Sequence, residues 1–479
     1  MSAKHSRSDD SIDVATEDVT VEVTPFDGQP PVRVSLLDPS PFGWWPALLL
    51  AFVGMVDRLD ASMVGGVLTK LQAEFGFSDF VAGFLFSAPA IAAALLVIPA
   101  GVLADRGRRT RLLTVVILTW SVLTLGSGLA PTLMVFFILR TMLGAAAPLN
   151  IPIVGSLIGD YYPPSGRSRA FGIIRVIEYL GFPLGIAVGA ILGGAFGWRS
   201  AFYVAAIPGL IIAAFVFFKL REPQRGLGDS LGAQRAAMDA ASVDVESPPA
   251  PTAIVEVSDV RSVGRFRELL SQVWAIRTVR ILVVAQALLY CAFSGMFSFS
   301  AAFFERTNGL TAAQGGAIAG SVGLVGILVG GAFAAFLGDS PRGRTGWRIR
   351  LSSGALLIAS VLVLVLAAIP ILAIEIVVFA AINTVSLIAI VNLGAATADV
   401  VPARIRGSGF SVLQFLITFG SAAGPLIVGG ISALAGQNLR WSYAAMVVPF
   451  AVGALFLRRG IEPYEMDARA VLDEIEAAH

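Results

Sequence analysis

Long apolar stretches separated by short polar breaks dominate the chain from Trp44 onward. A helix rises 1.5 Å per residue, so about 20 apolar residues cross a hydrocarbon core about 30 Å thick. The stretches have about this length, and the pattern therefore predicts an all-α integral membrane protein with twelve spanning helices. We place these spans at residues 44–68, 80–104, 112–130, 133–159, 170–194, 200–219, 279–303, 313–338, 351–369, 371–397, 409–434 and 441–457.

Composition agrees with a chain that is solvated by lipid. Of the 479 residues, 56% are hydrophobic and 14% are charged, against about 25% charged residues in soluble proteins. The single cysteine, Cys291, leaves no partner for an intrachain disulfide. Both histidines, His5 and His479, lie at the ends of the chain, so we expect no histidine-based metal site and no bound cofactor.

The distribution of basic residues predicts the orientation. The loops after spans 2, 4, 8 and 10 are rich in arginine, whereas the opposite loops hold only Lys70, Arg199, Arg306 and Arg440. Because basic loops stay in the cytoplasm, we expect a multi-pass protein of the cell membrane with both termini inside. The arginines of the inner loops are Arg106, Arg108, Arg109, Arg111, Arg167, Arg169, Arg342, Arg344, Arg348, Arg350, Arg404 and Arg406.

An internal repeat divides the chain into two halves. Six positions near the end of span 4 and in span 5 recur without a gap near the end of span 10 and in span 11. The repeat predicts two six-helix bundles, at 44–219 and 279–457, related by an axis along the membrane normal. The matched residues are Asp160, Pro163, Arg167, Phe171, Gly181 and Gly185 with Asp399, Pro402, Arg406, Phe410, Gly420 and Gly424; Asp105 and Arg108 also match Asp339 and Arg342.

Three segments lie outside the bundles. Residues 1–43 are acid-rich and predict a disordered cytoplasmic tail. Residues 220–278 predict a cytoplasmic linker, proline-rich at 248–251 and amphipathic at 261–277. The amphipathic part is expected either to lie on the inner membrane surface or to be a solvated basic connector. Residues 458–479 predict a cytoplasmic tail with a short helix.

Several motifs resemble a known family. The loop Gly101–Arg111, the sequence Arg140-x-x-x-Gly144 and the two related halves are similar to the major facilitator superfamily, over about residues 44–460. Met55-Val-Asp57-Arg58, the spacing of Arg140 and Asp160, Arg167-Ser-Arg169 and Gly424-Pro425 resemble the spinster-like branch, which moves sphingolipids and lysophospholipids. The chain departs from the family pattern by lacking a residue between Arg106 and Gly107 and by having Ser340 after Asp339.

Charged residues inside the predicted spans are candidates for function, because a charge at mid-membrane is costly. Helix rise places Asp57 of span 1 and Arg140 of span 4 at a similar depth, about 20 Å from the cytoplasmic side. We therefore expect a buried pair between them, with Arg58 and Asp60 as a second possible pair. The alternative is that these charges are static ion pairs that fix helix packing.

The candidate proton site follows from a departure from the family. Spinster-like chains usually carry a glutamate in span 4, where this chain has Ala147. Glu178 of span 5 lies at a similar estimated depth, three residues after Arg175 and on the same helix face. We hypothesise that Glu178 and Asp57 bind protons when they are released from arginine, which would couple proton movement to conformational change. The exchanging arginines would be Arg58, Arg140 and Arg175.

A cytoplasmic gate is expected where span 2 ends. The resemblance implies that Asp105 braces the start of span 11, where unpaired N–H groups attract an anion. Arginines after Asp105 can pair with acids such as Asp160, or they can serve to set the topology, and both roles can hold. The predicted gate residues are Gly101, Asp105, Arg106, Arg108, Arg109, Asp160 and Asp339.

Spans 1, 4, 7 and 10 are expected to line a substrate cavity between the halves. Polar residues are sparse there and aromatic residues such as Phe293 and Phe297 are present, which suits an amphipathic molecule better than a sugar. Each polar residue could instead serve helix packing. The candidates are Asp60, Asn150, Gln286, Tyr290, Ser294, Asn383 and Asn392.

Together these features predict a monomeric, proton-coupled secondary transporter that moves a small amphipathic lipid, a lysophospholipid or a sphingoid. A multidrug or metabolite exporter and an organic-solute symporter are alternatives. A membrane enzyme is disfavoured because no histidine lies near the membrane, and a sensor because the linker is too short and polar for an output domain. No Gly-x-x-x-x-Gly-Lys signature is present, and we expect neither ATP-driven transport nor a nucleic-acid partner.

Overall fold

The computed structural model describes residues 20–26, 30–104, 107–242, 271, 274–338, 346–400 and 406–467. Two short strands, β1 (Thr20–Val23) and β2 (Val32–Ser35), pair antiparallel. Residues 1–43 were predicted to be disordered, and the hairpin shows that this prediction is wrong for residues 20–23 and 32–35. Residues 1–19 lie outside the described part of the chain. The hairpin is ordered because Val34 packs against Leu227 and Leu231, which belong to the linker.

Seven α-helices form the described part of the first half. The predicted fourth span consists of two helices separated by a 3₁₀ turn at Ala147–Leu149, where Pro148 has no N–H for a helical hydrogen bond. The fifth span begins earlier than predicted, at Pro164, and the first continues to Phe75. The helices are α1 (Trp45–Phe75), α2 (Asp79–Ala104), α3 (Arg109–Gly128), α4 (Leu133–Ala146), α5 (Asn150–Tyr161), α6 (Pro164–Phe196) and α7 (Trp198–Lys219).

A linker helix and the second half follow. The linker forms α8 (Leu227–Ser242), which the sequence analysis did not predict. Residues 248–251 and 261–270 lie outside the described part. The predicted seventh span bends at Phe299, and the twelfth is divided at Met446. The helices are α9 (Arg277–Ser298), α10 (Ser300–Asn308), α11 (Ala312–Gly338), α12 (Trp347–Ala368), α13 (Leu372–Val400), α14 (Arg406–Leu434), α15 (Leu439–Ala445) and α16 (Val447–Arg459).

The predicted membrane fold is confirmed. Eleven helical segments in the described part of the chain are long and apolar enough to cross a membrane. Helix α1 is not among them, although its 31 residues would extend about 46 Å. It carries Asp57, Arg58 and Asp60 near its middle, which lower its hydropathy. With α1 the structure is consistent with the twelve predicted spans.

The two halves repeat the same packing. Helix α1 packs against α6 in the first half as α9 packs against α14 in the second. At the matched positions Gly185 and Gly424 the backbones approach so closely that a Cβ atom would overlap the carbonyl of Leu59 or Cys291. The halves meet where α2 packs on α14 and where α6 packs on α11. The space between these two seams is where a substrate cavity is expected in such a fold.

Candidate functional site: a charged cluster between the halves

Arg58 lies at the centre of a group of four charged side chains, here called the charged cluster: Asp57, Arg58, Arg175 and Glu178. The Arg58 guanidinium donates from Nη2 and Nε to Glu178 Oε1, at 2.6 and 2.8 Å. Arg175 donates to the other oxygen, Oε2, at 3.0 Å. Asp57 Oδ2 lies 4.0 Å from Arg58 Nε. Glu178 therefore holds two arginines, one on α1 and one on its own helix.

Local sequence explains how this cluster forms. Arg175 and Glu178 are three residues apart on α6, so their side chains lie on one face. Helix α1 passes this face closely enough for a Cβ atom at Gly54 to contact the Glu178 side chain. The Glu178 carboxylate is 12% exposed, whereas Arg58 is 32% and Arg175 is 55% exposed. The arginines thus reach solvent-accessible space while their shared acid is nearly buried.

An aromatic cluster joins the two halves beside these charges. It consists of Tyr179 and Phe182 from α6 and of Tyr290, Phe293 and Phe297 from α9. The Phe182 and Phe297 rings contact edge to face at 6.0 Å, and Phe293 stacks on Phe297 at 5.6 Å. The Arg58 guanidinium lies 5.4 Å from the centre of the Phe182 ring.

Tyr290, a predicted cavity residue of the second half, lies next to the charged cluster. Its hydroxyl interacts with Tyr179 across the boundary between the halves, and it lies in the electrostatic field of Arg58 and Arg175. The Phe182 ring contacts both the Arg58 guanidinium and Phe297 of the other half, so the charged cluster lies next to the boundary between the halves. The charged and aromatic clusters together form the candidate site.

Arg140 pairs with a different acid from the one predicted. Its Nη1 donates to Asp60 Oδ2 at 3.1 Å and its Nε donates to Ser127 at 3.0 Å, and both partners of the ion pair are buried. The predicted Asp57–Arg140 pair is therefore wrong. Asp57 and Asp60 differ by about 4.5 Å in depth. The depths estimated from the sequence are not precise enough to distinguish two residues this close. Asp60, expected in the substrate cavity, instead lies inside the first half.

A small cavity lies next to this buried pair. Its volume is about 20 Å³, enough for roughly one water molecule, and Asp57 and Asp60 both line it. Asp60 Oδ1 and Trp120 Nε1 are buried without a hydrogen-bond partner among the described residues. One is an acceptor and the other a donor, so the cavity suits a guest with the size and hydrogen-bonding capacity of water. Asp57 and Asp60 of α1 thus share this cavity.

Most other predicted cavity residues form bonds within one half. In the second half, Gln286 donates to Thr397, and Ser294 donates to the Ser421 carbonyl. Asn383 and Asn392 each donate to the carbonyl four residues earlier in α13. In this conformation these contacts are packing contacts, and a role toward substrate stays a prediction. Asn150, at the start of α5, is half-buried, and its Oδ1 has no partner among the described residues.

The predicted gate residues are only partly described. Asp160 accepts hydrogen bonds from Arg109 and, at 2.8 Å, from the backbone N–H of Gly226. This pair joins α3 to α5 within the first half. The matched acid Asp399 likewise accepts from Arg348, at 2.7 Å.

Of the remaining gate residues, the structure describes only Gly101 and Arg108. Gly101 lies in the last turn of α2, and Arg108 is exposed before α3. Asp105, Arg106 and Asp339 lie outside the described residues. A gating role for this set stays a prediction.

Glu222 completes the network at the predicted inner end. It accepts from Arg109 Nε at 2.8 Å and from the backbone N–H and the hydroxyl of Thr110, both at 2.9 Å. Burial alone would raise the pKa of Glu222. The hydrogen bonds outweigh burial and hold the pKa below its usual value. Sequence analysis missed this residue because it lies in the linker, outside any predicted span.

The Glu222 contacts predict a pH-dependent contribution to stability. A carboxylate with a lowered folded-state pKa stabilises the fold above its unfolded-state pKa, about 4.3, and this contribution is lost as the pH falls through the folded-state value. We expect Glu222→Gln to lower the unfolding temperature at pH 7 and to have less effect at about pH 3. Thermal unfolding in detergent measures this, with the exposed Glu462→Gln as control. An equal loss at both pH values would contradict the assignment.

A second network closes the opposite, predicted outer end. Asp79, the first residue of α2, is fully buried and accepts from Arg306 of α10 at 2.8 Å and from Ser432 of α14 at 2.6 Å. Thr69 donates to Glu305 at 2.7 Å nearby. These bonds join the two halves. The Asp79–Arg306 pair is here called the outer ion pair. Sequence analysis missed it because an acid at a helix N-terminus is already explained by its favourable interaction with the helix dipole.

Comparison with known proteins agrees with the fold. The profile described as Major Facilitator Superfamily matches residues 50–394. Over 185 residues the chain is 32% identical to the cis,cis-muconate transport protein of Acinetobacter baylyi, covering 38% of this chain and 44% of that protein. Over 199 residues it is 29% identical to the sphingosine-1-phosphate transporter SPNS2 of Mus musculus, covering 40% and 35%. The chain thus spans less than half the length of each of these relatives.

Solved structures share the fold over most of the chain. One is the crystal structure of a bacterial homologue of the human lysosomal transporter Spinster, in an inward-facing and occupied conformation. It matches with a TM-score of 0.68 and 21% identity, over 90% of this chain and 97% of that one. The nucleoside transporter NupG matches with a TM-score of 0.65 and 14% identity, over 88% of this chain and 99% of that one. The predicted fold and the resemblance to spinster proteins are confirmed.

Proposed function

Because the chain belongs to the major facilitator superfamily, and is therefore a membrane transporter rather than an enzyme, we propose that it moves an anionic single-chain amphiphile together with protons. One observation carries this proposal: Arg58 is held by Glu178 and flanked by Asp57, directly beside the aromatic cluster that joins the halves. The substrate class is a lysophospholipid or a phosphorylated sphingoid.

The charged and aromatic clusters suit the two parts of such a molecule. A guanidinium binds phosphate through two parallel hydrogen bonds, and the half-buried Arg58 and the exposed Arg175 offer two such groups. Phe293 and Phe297 offer apolar surface for a hydrocarbon chain. SPNS2, a relative over part of the chain, is a transporter of a phosphorylated sphingoid by its name.

Proton coupling follows from competition for Arg58. A phosphate that binds Arg58 and Arg175 takes both arginines away from Glu178. A carboxylate that loses its arginine in a nearly buried, apolar place favours the protonated form. Asp57, at 4.0 Å from Arg58 and on the wall of the small cavity, would respond in the same way. Substrate binding and proton binding would thus occur together.

Alternating access would use the two ends of the bundle. The outer ion pair holds the halves together at the predicted outer end, as expected of an inward-facing state. The gate residues around Asp160 would close the inner end in the opposite state. The arginine-rich loops support an orientation with both termini in the cytoplasm and a place in the cell membrane. We propose that the chain works as a monomer.

A small organic dianion is the second candidate substrate. The same two arginines could bind two carboxylates, and the relative with 32% identity is a cis,cis-muconate transport protein. The aromatic cluster would then hold the short apolar part of the molecule. This candidate and the amphiphile differ in the length of hydrocarbon that the site accepts.

Transport into vesicles distinguishes the candidates. Purified protein is reconstituted, and uptake of labelled lysophospholipid, sphingoid phosphate, muconate and glucose is measured with and without a pH gradient. We expect saturable, gradient-stimulated uptake of a lysophospholipid or a sphingoid phosphate. Uptake of muconate alone would support the second candidate, and uptake of glucose alone would overturn both.

Breaking the outer ion pair is expected to open the outer end. In Asp79→Asn the Arg306 guanidinium loses its charged partner at the boundary between the halves. Spin labels on cysteines placed at the exposed Lys70 and Thr311, in a Cys291→Ser background, report the distance between the halves. We expect a second, longer distance to become populated in the variant.

The matched control for this experiment is Glu74→Gln. Glu74 pairs with Arg199 at 2.7 Å at the same end of the protein, but within the first half. This variant should keep the original distance. A longer distance in both variants, or in neither, would contradict a closing role for the outer ion pair.

A further inference from the structure

A basic groove lies on the surface of the first half, and none of the charged-cluster residues lines it. It is formed where α3 begins and α7 ends, at the predicted inner boundary of the membrane, and has a volume of about 290 Å³. Arg108, Arg111 and Arg221 line it together with Phe217 and Phe218. We call it the α3–α7 groove.

The described lining of the groove contains three arginines and one acid, Glu222. Arg109 and Thr110 already donate hydrogen bonds to both carboxylate oxygens of Glu222. Arg111 and Arg221 are exposed. The Arg221 guanidinium lies 5.7 Å from the centre of the Phe26 ring, in a cation–π contact. An anion in the groove would therefore meet guanidinium groups.

Exposed apolar residues beside the groove indicate which kind of anionic molecule it would bind. Phe218 is 75% exposed and contacts Phe217, which is also exposed, and both follow a run of apolar residues on α7. Helix α3 exposes Val115 and Val122 in the same way. Since α3 packs against α7, these surfaces form one apolar face that continues outward from the arginines. Phosphate at the arginines and hydrocarbon along the helices is the arrangement of a membrane phospholipid.

We propose that the α3–α7 groove binds the headgroup of an anionic membrane phospholipid. Basic pockets between helices at the cytoplasmic boundary attract acidic headgroups. The lipid would contact α3 through Arg111, two residues after Arg109 of the Arg109–Asp160 pair. This site is separate from the candidate transport site, so its test does not depend on the proposed substrate.

Native mass spectrometry of the purified, delipidated protein tests this proposal. Phosphatidylglycerol, phosphatidylcholine or inorganic phosphate is added to the full-length protein and to Arg111→Gln/Arg221→Gln. The control is Arg458→Gln/Arg459→Gln, which removes two exposed arginines from the predicted inner end of α16. We expect the groove variant to bind phosphatidylglycerol about 30-fold more weakly, from about 1 kcal/mol per basic residue, and the control to bind like wild type.

Each result decides the proposal. Preference for phosphatidylglycerol over phosphatidylcholine, lost only in the groove variant, supports it. Equal binding of both lipids, equal losses in the two variants, or displacement of the lipid by inorganic phosphate would overturn it. The single variant Arg111→Gln, which changes one exposed side chain, repeats the test if the double variant does not fold.

Discussion

Glu178→Gln is expected to abolish the response of transport to a pH gradient. The amide keeps the shape of the side chain and can still accept a hydrogen bond from Arg58, but it cannot take up a proton. If Glu178 is the group that exchanges Arg58 for a proton, substrate exchange at equal pH should persist while gradient-driven accumulation falls to that of empty vesicles. Uptake of labelled lysophospholipid at equal and unequal pH measures both.

The control for this prediction is Arg175→Gln. Arg175 binds the same carboxylate but is 55% exposed, and exposed ion pairs contribute little, about 0–1 kcal/mol. We expect a smaller response to the gradient in this variant, but a measurable one. A wild-type response in Glu178→Gln would remove Glu178 from the coupling mechanism and leave the pair with Arg58 as a packing contact.

Arg140→Leu is expected to destabilise the first half strongly. The substitution leaves Asp60 buried without its partner, which typically costs about 3–5 kcal/mol. Thermal unfolding in detergent should show a large decrease in the unfolding temperature. Transport by the surviving folded fraction, measured per active molecule, should still respond to a pH gradient.

A double variant distinguishes burial of a charge from loss of a specific contact. Asp60→Leu/Arg140→Leu removes both charges, and replacing a buried ion pair by apolar residues is often neutral or stabilising. We expect this variant to regain much of the stability that Arg140→Leu loses. If Arg140→Leu unfolds at the wild-type temperature, the Asp60–Arg140 pair is not a structural contact of the first half.

Hydropathy predicted the membrane helices well because lipid imposes one length and one polarity on all of them. It could not locate the breaks inside them. The turn at Ala147–Leu149 and the bend at Phe299 leave the apolar pattern unchanged. The β1–β2 hairpin was missed because its strands have only four residues each and depend on packing with α8, which is distant in sequence.

Sequence analysis identified charged residues more reliably than their partners. The Arg175–Glu178 contact is local, and its spacing on one helix predicted it. The choice between Asp57 and Asp60 as partner of Arg140 depended on less than one helical turn, about 5.4 Å. The outer ion pair joins residues 227 positions apart, and nothing in the neighbourhood of either residue indicates the other.

Proton movement driven by substrate tests the central claim most directly. Vesicles that contain the protein and a pH-sensitive dye are given an inward gradient of a lysophospholipid or sphingoid phosphate without any imposed pH gradient. We expect a change of internal pH in wild type that is absent from Asp57→Asn/Glu178→Gln. Substrate movement without a pH change in wild type, or an unchanged proton signal in the double variant, would contradict coupling through these two acids.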